Sequence, residues 1–173
     1  MEKENHKIKQ IEENEIKDIE EEMENVLLIA CYEKPFSKKA LKRIRGTIEK
    51  EKPTKIIVLK IVEEPEVPDF ADEQIGDKTR EEFEDSVVKD KKTQVDSYTK
   101  DVLKITDETG IPTEVRFRKA DLIADEIVND YEKMEVDHLI IHKGDKDLLE
   151  RLRKGEVEKD VKKEVDSEDI TTV

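Results

Sequence analysis

The sequence predicts an α/β fold: an open, doubly wound, Rossmann-like sheet of five parallel strands with helices on both faces. Three observations predict it. Short apolar runs rich in β-branched residues alternate with longer segments of helical periodicity. Glycine and proline are scarce, 5 of each in 173 residues, so each one punctuates the chain. Hydrophobic residues make up 34% of the sequence against 46% charged, so the apolar groups must gather in few elements. The length suits one domain with a real core.

Residues 1–24 are charge-dense, yet Ile8, Ile11, Ile16, Ile19 and Met23 fall within one helical stripe. They form an expected amphipathic or partly disordered arm ahead of a domain at 25–173. VLLIACY at 26–32 has the continuous apolar character of a buried parallel strand. Ser37 can cap a helix that carries Ala40, Leu41, Ile44 and Ile48 on one face and ends at Pro53. KIIVLKIV at 55–62 is the second strand.

A loop at 63–77 with two prolines leads to a long helix. Its expected apolar stripe is Phe83, Val87, Val88, Val95, Tyr98, Val102 and Ile105. Gly110 and Pro112 stop that helix. TEVRFRK at 113–119 alternates as a third strand, and Asp121 is the expected cap of the next helix, which bears Leu122, Ile123, Ile127, Val128 and Tyr131. HLIIH at 138–142 is the fourth strand, a helical region spans 146–165, and ITTV at 170–173 closes the sheet.

The formal net charge is −14, which opposes non-specific nucleic-acid binding and anionic membrane surfaces. No apolar run approaches a membrane span, and the first residues carry no signal-peptide core. One cysteine, Cys31, allows neither an internal disulfide nor a cysteine metal cluster. The expectation is a cytoplasmic protein with no metal and no partner of nucleic acid or membrane.

Ligands of doubly wound folds bind beyond the C-terminal ends of the strands, where strand order reverses. Two loops matter here: the one after strand one, from Glu33, and the one after strand four, from Lys143. Three blocks resemble the universal stress protein family over about residues 25–173. VLLIACYEKPFSKKAL resembles its opening strand, loop and helix. DLIADEIVNDYEKMEVDHLIIHKG resembles its block of helix, acidic turn, strand and glycine. GEVEKDVKKEV with DITTV resembles its last helix and strand.

The resemblance implies strand order 3-2-1-4-5 and a homodimer, often formed through the last strand, here 170–173. It also implies a nucleotide site, ATP or AMP, that would take in Tyr32, Lys34, Val62, His142, Lys143, Gly144, Gly155 and Glu156. This site departs from the family pattern. Tyr32 stands where an acid is expected, and Glu33-Lys34 replaces a Gly-Ser pair. His142 takes the place of the first glycine, and residues 145–154 make the next spacing one residue too long. Glu156 replaces a phosphate-binding Ser or Thr, and a carboxylate can only accept hydrogen bonds and repels phosphate.

Basic residues argue the other way. Residues 34–45 hold Lys34, Lys38, Lys39, Lys42, Arg43 and Arg45 with no acid, and Lys143 and Lys146 follow strand four. The plainer reading puts the helical ones on a solvent face. Tyr32 is expected to fill the pocket left by the missing groups, His142 to be a hydrogen-bonded strand-end residue, His138 to be structural and Cys31 to be an inert core thiol. No catalytic constellation is visible, so an enzyme ranks last. The expected function is therefore a dimeric stress-response or regulatory interaction protein without a family-type ATP cofactor and with an unnamed protein partner. The alternative is a divergent binder of ATP, AMP or another phosphate ligand, using Lys34, Lys143 and Lys146.

Overall fold

The computed structural model describes residues 24–65, 76–143 and 157–173. The expected N-terminal arm, most of the 63–77 loop and the stretch that holds Gly144, Lys146, Gly155 and Glu156 lie outside these residues. The elements are β1 (Val26–Cys31), α1 (Lys38–Glu51), β2 (Lys55–Glu63), α2 (Asp77–Thr109), β3 (Thr113–Ala120), α3 (Ile123–Lys133), β4 (His138–Ile141), α4 (Val157–Glu164) and β5 (Ile170–Thr172). The five strands form one sheet in the order β3-β2-β1-β4-β5, and every pairing is parallel.

The centre of the sheet follows from the apolar runs. All six residues of β1 are buried, as a strand covered on both faces requires. Pleat alternation divides them. Val26, Leu28, Ala30 and Tyr32 pack with Ile57, Leu59 and Ile61 under α3 and α4. Leu27, Ile29 and Cys31 pack with Ile56 and Val58 under α1 and α2. One residue's shift in register would exchange these sets between two differently shaped layers, so register is strongly specified.

The caps show how the helices start and stop. Ser37 Oγ accepts a hydrogen bond from the Ala40 amide at 3.1 Å, which satisfies an orphan donor of α1. Lys52 closes α1 in the left-handed region, with φ of 48°, just before Pro53. Gly110 closes α2 at φ of 69°, where the absence of Cβ removes the steric cost. The expected Asp121 cap is not made. Leu122 is the N-cap of α3, and no side chain bonds the first-turn amides there.

The stripe expected on α2 also needs correction. Its 33 residues span about 50 Å, against about 30 Å for the 9 residues of β2. The helix therefore outruns the sheet. Val95, Val102 and Ile105 are buried, whereas Phe83 is 59% exposed. Lys91 Nζ, donating to the Glu63 carbonyl at 3.0 Å, marks where α2 passes the C-terminal end of β2. No described helix is long and apolar enough to cross a membrane.

Candidate functional site

The strand order reverses between β1 and β4, which places the candidate site beyond Cys31 and Ile141. Tyr32 leaves β1 with its side chain toward α3 and α4, and it is 2% exposed. The backbone then reverses at once. Lys34 N–H donates to the Tyr32 carbonyl at 2.5 Å across Glu33, whose φ is 56°. Positive φ favours glycine, because a side chain there crowds the backbone. A glutamate here holds a conformation that favours glycine. Phe36, two residues on, folds inward and is buried.

His142 meets both rings from the end of β4. Its backbone N–H donates to the Tyr32 hydroxyl at 3.1 Å. Its imidazole stands edge-on to Tyr32, with centroids 4.9 Å apart and planes at 87°. The imidazole stacks on Phe36, with centroids 4.1 Å apart and planes at 18°. All three side chains are buried. Withdrawing the Tyr32 and Phe36 rings from water contributes on the order of 2 kcal/mol each, and each ring pair adds roughly 1 kcal/mol. The crossing point is held by a packed aromatic wedge.

Burial pushes the Tyr32 hydroxyl pKa far up, and the negative charge of Glu33 adds to the rise. The phenol stays neutral and serves as an acceptor for His142 N–H. Burial likewise pushes the Cys31 thiol up to about 12, with the Thr99 hydroxyl and Lys60 opposing more weakly. A thiol so placed is protonated and unreactive, as expected for a core residue.

The other expected site residues scatter. Val62 is buried in β2 and pairs with Lys119 of β3, two residues past the Lys60–Cys31 pair. Its level along the sheet is right for the crossing point, but it sits one strand away. Lys143 is exposed, and its backbone N–H donates to the Val173 carbonyl at 2.7 Å. That bond ties the chain end to β4. Lys38, Lys39, Lys42, Arg43 and Arg45 are exposed on α1, and Arg45 pairs with Glu108 of α2 at 2.6 Å. They line a solvent face rather than the crossing point. Gly144, Gly155 and Glu156 lie outside the described residues.

Beside the wedge, between the ends of β1 and β2 and the starts of α3 and α4, is a cavity of about 40 Å3. Glu33, Glu63, Asp125 and Asp160 line it. A drug-sized ligand takes roughly 300–1,000 Å3. This cavity suits a water in size, and four carboxylates make it hostile to phosphate. Among the described residues no group of three or more His, Cys, Asp or Glu is placed to hold a metal ion.

The structure brings Tyr32 and His142, both singled out in the sequence, into contact, and adds Phe36, which was not. The signal available was a lone aromatic residue between Pro35 and Ser37 in a loop with no other apolar side chain than proline.

Neither a protein-family model nor a curated protein matches the sequence. Solved structures do match the fold. The hypothetical protein MJ0577 superposes with a TM-score of 0.53 at 19% identity, covering 87% of this chain and 96% of its own. A universal stress protein from Archaeoglobus fulgidus gives 0.52 at 14%, with 86% and 92% covered. This chain has the universal stress protein fold. A universal stress protein family protein from Arabidopsis thaliana, with AMP bound, gives 0.51 at 15%, with 86% and 90% covered. The strand order expected of a universal stress protein, 3-2-1-4-5, is the order observed.

Proposed function

We propose that this universal stress protein-like chain acts through protein contacts, as a dimeric cytoplasmic regulator in a stress response, and does not take ATP in the family manner. The observation that carries the reading is the Phe36–His142 stack. With Tyr32 it packs the described part of the β1–β4 crossing, where the family resemblance would put a nucleotide. A ligand there would have to displace three buried rings and approach Glu33 and Glu63. A micromolar affinity corresponds to about −8 kcal/mol, and losses of several kcal/mol consume most of it.

The dimer rests on β5. It is one of the two edge strands, three residues long, with half-buried side chains. A second copy pairing along its free edge would protect it. Sedimentation of the full chain should give twice 20.2 kDa.

A second reading is a divergent binder of AMP, ATP or another phosphate ligand, favoured by the AMP-bound Arabidopsis relative of the fold. Lys34, Lys143 and Lys146 would serve it. Calorimetry on the full chain decides between them. The expected result is no binding heat from ATP or AMP at tens of micromolar protein. Low-micromolar binding that is abolished by Lys143→Ala or Gly144→Ala would establish the second reading.

A further inference from the structure

The sheet ends at β5 on one side and at β3 on the other. The β3 edge is the longer, 8 residues from Thr113 to Ala120 against 3. Two bonds to β2 fix which way its backbone faces. The Ile56 N–H donates to the Pro112 carbonyl and the Glu64 N–H to the Ala120 carbonyl, each at 2.9 Å. A strand residue points its N–H and C=O to one side, and its neighbours point theirs to the other. Even-numbered residues of β3 therefore bond β2, while Thr113, Val115, Phe117 and Lys119 turn their backbone groups to the open edge. Among the described residues no other strand pairs with that edge. The Phe117 carbonyl takes a bond from Arg118 Nη1 at 3.2 Å, and a carbonyl can accept two. α2 packs over β2 and leaves Val115, in the middle of the edge, 42% exposed. No proline interrupts residues 113–120, so the edge can bond along its length.

The edge is complementary to itself. In antiparallel pairing two opposed residues either both bond across the edge or both turn away from it, so odd residues must face odd residues. When Val115 faces Val115 of a second copy, Thr113 faces Phe117, and Glu114 faces Arg116 on both sides of the two-fold axis. The nearest allowed slips set Arg116 against Arg116 or Glu114 against Glu114. Within one chain Glu114 already takes Arg116 Nε and Lys55 Nζ, all three groups being partly exposed. A second copy would extend that network. The charges select the register, while the backbone groups and Val115 supply the contact.

We infer that β3 pairs antiparallel with β3 of a second copy about a two-fold axis at Val115, which joins two five-stranded sheets into one. The contact is separate from the one proposed for β5. It lies at the opposite edge of the sheet, and both can form at once.

The test uses the full chain, whose one native cysteine, Cys31, is buried. Opposed residues of a bonded antiparallel pair lie about 5.5 Å apart at Cα, within disulfide range. Copper-catalysed air oxidation of Val115→Cys should therefore give a disulfide dimer on a non-reducing gel. Lys119→Cys, exposed on the same edge, should not, because the register holds it about 27 Å from its copy. On the Val115→Cys chain, Arg116→Glu or Glu114→Arg alone should slow cross-linking about tenfold, since each sets like charges opposite each other at two places. An equal mixture of those two variants should restore the rate, because unlike charges then face each other between chains. Contacts within one chain cannot produce that rescue. Cross-linking of both cysteines at one rate marks random collision and overturns the inference. So does the absence of a cross-link at Val115→Cys, or a mixture no faster than its components. The β5 dimer is read separately, by sedimentation of the reduced Arg116→Glu chain.

Discussion

The rings of Phe36 and His142 lie 18° from parallel with centroids 4.1 Å apart, although one follows β1 and the other follows β4. Their contact ties the two loops of the switch point together. In related folds those loops part around a ligand. Here the residue five positions past β1 and the residue just past β4 touch ring to ring.

Removing the wedge should be costly. Phe36→Ala is expected to lower unfolding free energy by about 3 kcal/mol, the usual loss for a buried phenylalanine. Tyr32→Phe keeps the ring but leaves the buried His142 N–H without its acceptor, at a cost of about 1–2 kcal/mol. Urea denaturation measures both. A loss under 1 kcal/mol for Phe36→Ala would show that the ring is not structural.

The turn after β1 offers a stabilising change. Glu33 holds φ of 56° and is exposed, so Glu33→Gly removes the crowding of a left-handed side chain. The freedom that glycine gains in the unfolded chain offsets part of this. The net gain should be about 1 kcal/mol, or roughly 2–4 °C in melting temperature for a chain of this size. A melting temperature that falls would mean that the glutamate side chain contributes more than its backbone costs.

His138 makes stability depend on pH. Its Nε2 lies 2.7 Å from Thr171 Oγ1, which joins β4 to β5. Burial lowers its pKa below 6.5, and Lys50 adds to this, while Glu51 and Asp169 oppose it. The unfolded chain therefore takes up the proton first as pH falls. Its contribution to stability is full above about pH 6.5 and is lost as pH drops through the lowered folded value. His138→Gln should flatten the pH dependence of the unfolding midpoint between about pH 7 and 5. An unchanged slope in that variant would assign the dependence to other groups.

Cys31 should be silent while the chain is folded. Its thiol is buried and raised to about 12 by that burial. Labelling by a thiol reagent at pH 8 should proceed only at the rate of unfolding, and reach one equivalent in denaturant. Rapid native labelling would contradict a closed β1 layer.

Much of the fold could be read directly. The β-branched run at 55–62 and the continuous apolar run at 26–31 can satisfy their side chains only as covered strands. Ser37, Gly110 and Pro112 mark helix ends because their chemistry suits few other positions. Less legible was the depth of burial along α2. The stripe from Phe83 to Ile105 has one period, and periodicity does not say where the sheet beneath it stops. Asp121 was a sound cap by residue type, yet the chain enters α3 one residue later, at Leu122.

The candidate site divides in the same way. Local patterns in the chain, carried by side-chain period and turn residues, determined the alternation of strands and helices and hence a parallel, doubly wound sheet. They also set apart Tyr32, His142 and the loops after β1 and β4. Only the tertiary structure decided that Phe36 enters the switch point, that Val62 stands one strand away, and that the lysines of α1 face solvent. The reason is physical: a loop residue has no period to declare its direction. Its side chain is placed by whatever distant strand end arrives beside it, and for Phe36 that strand end carries His142.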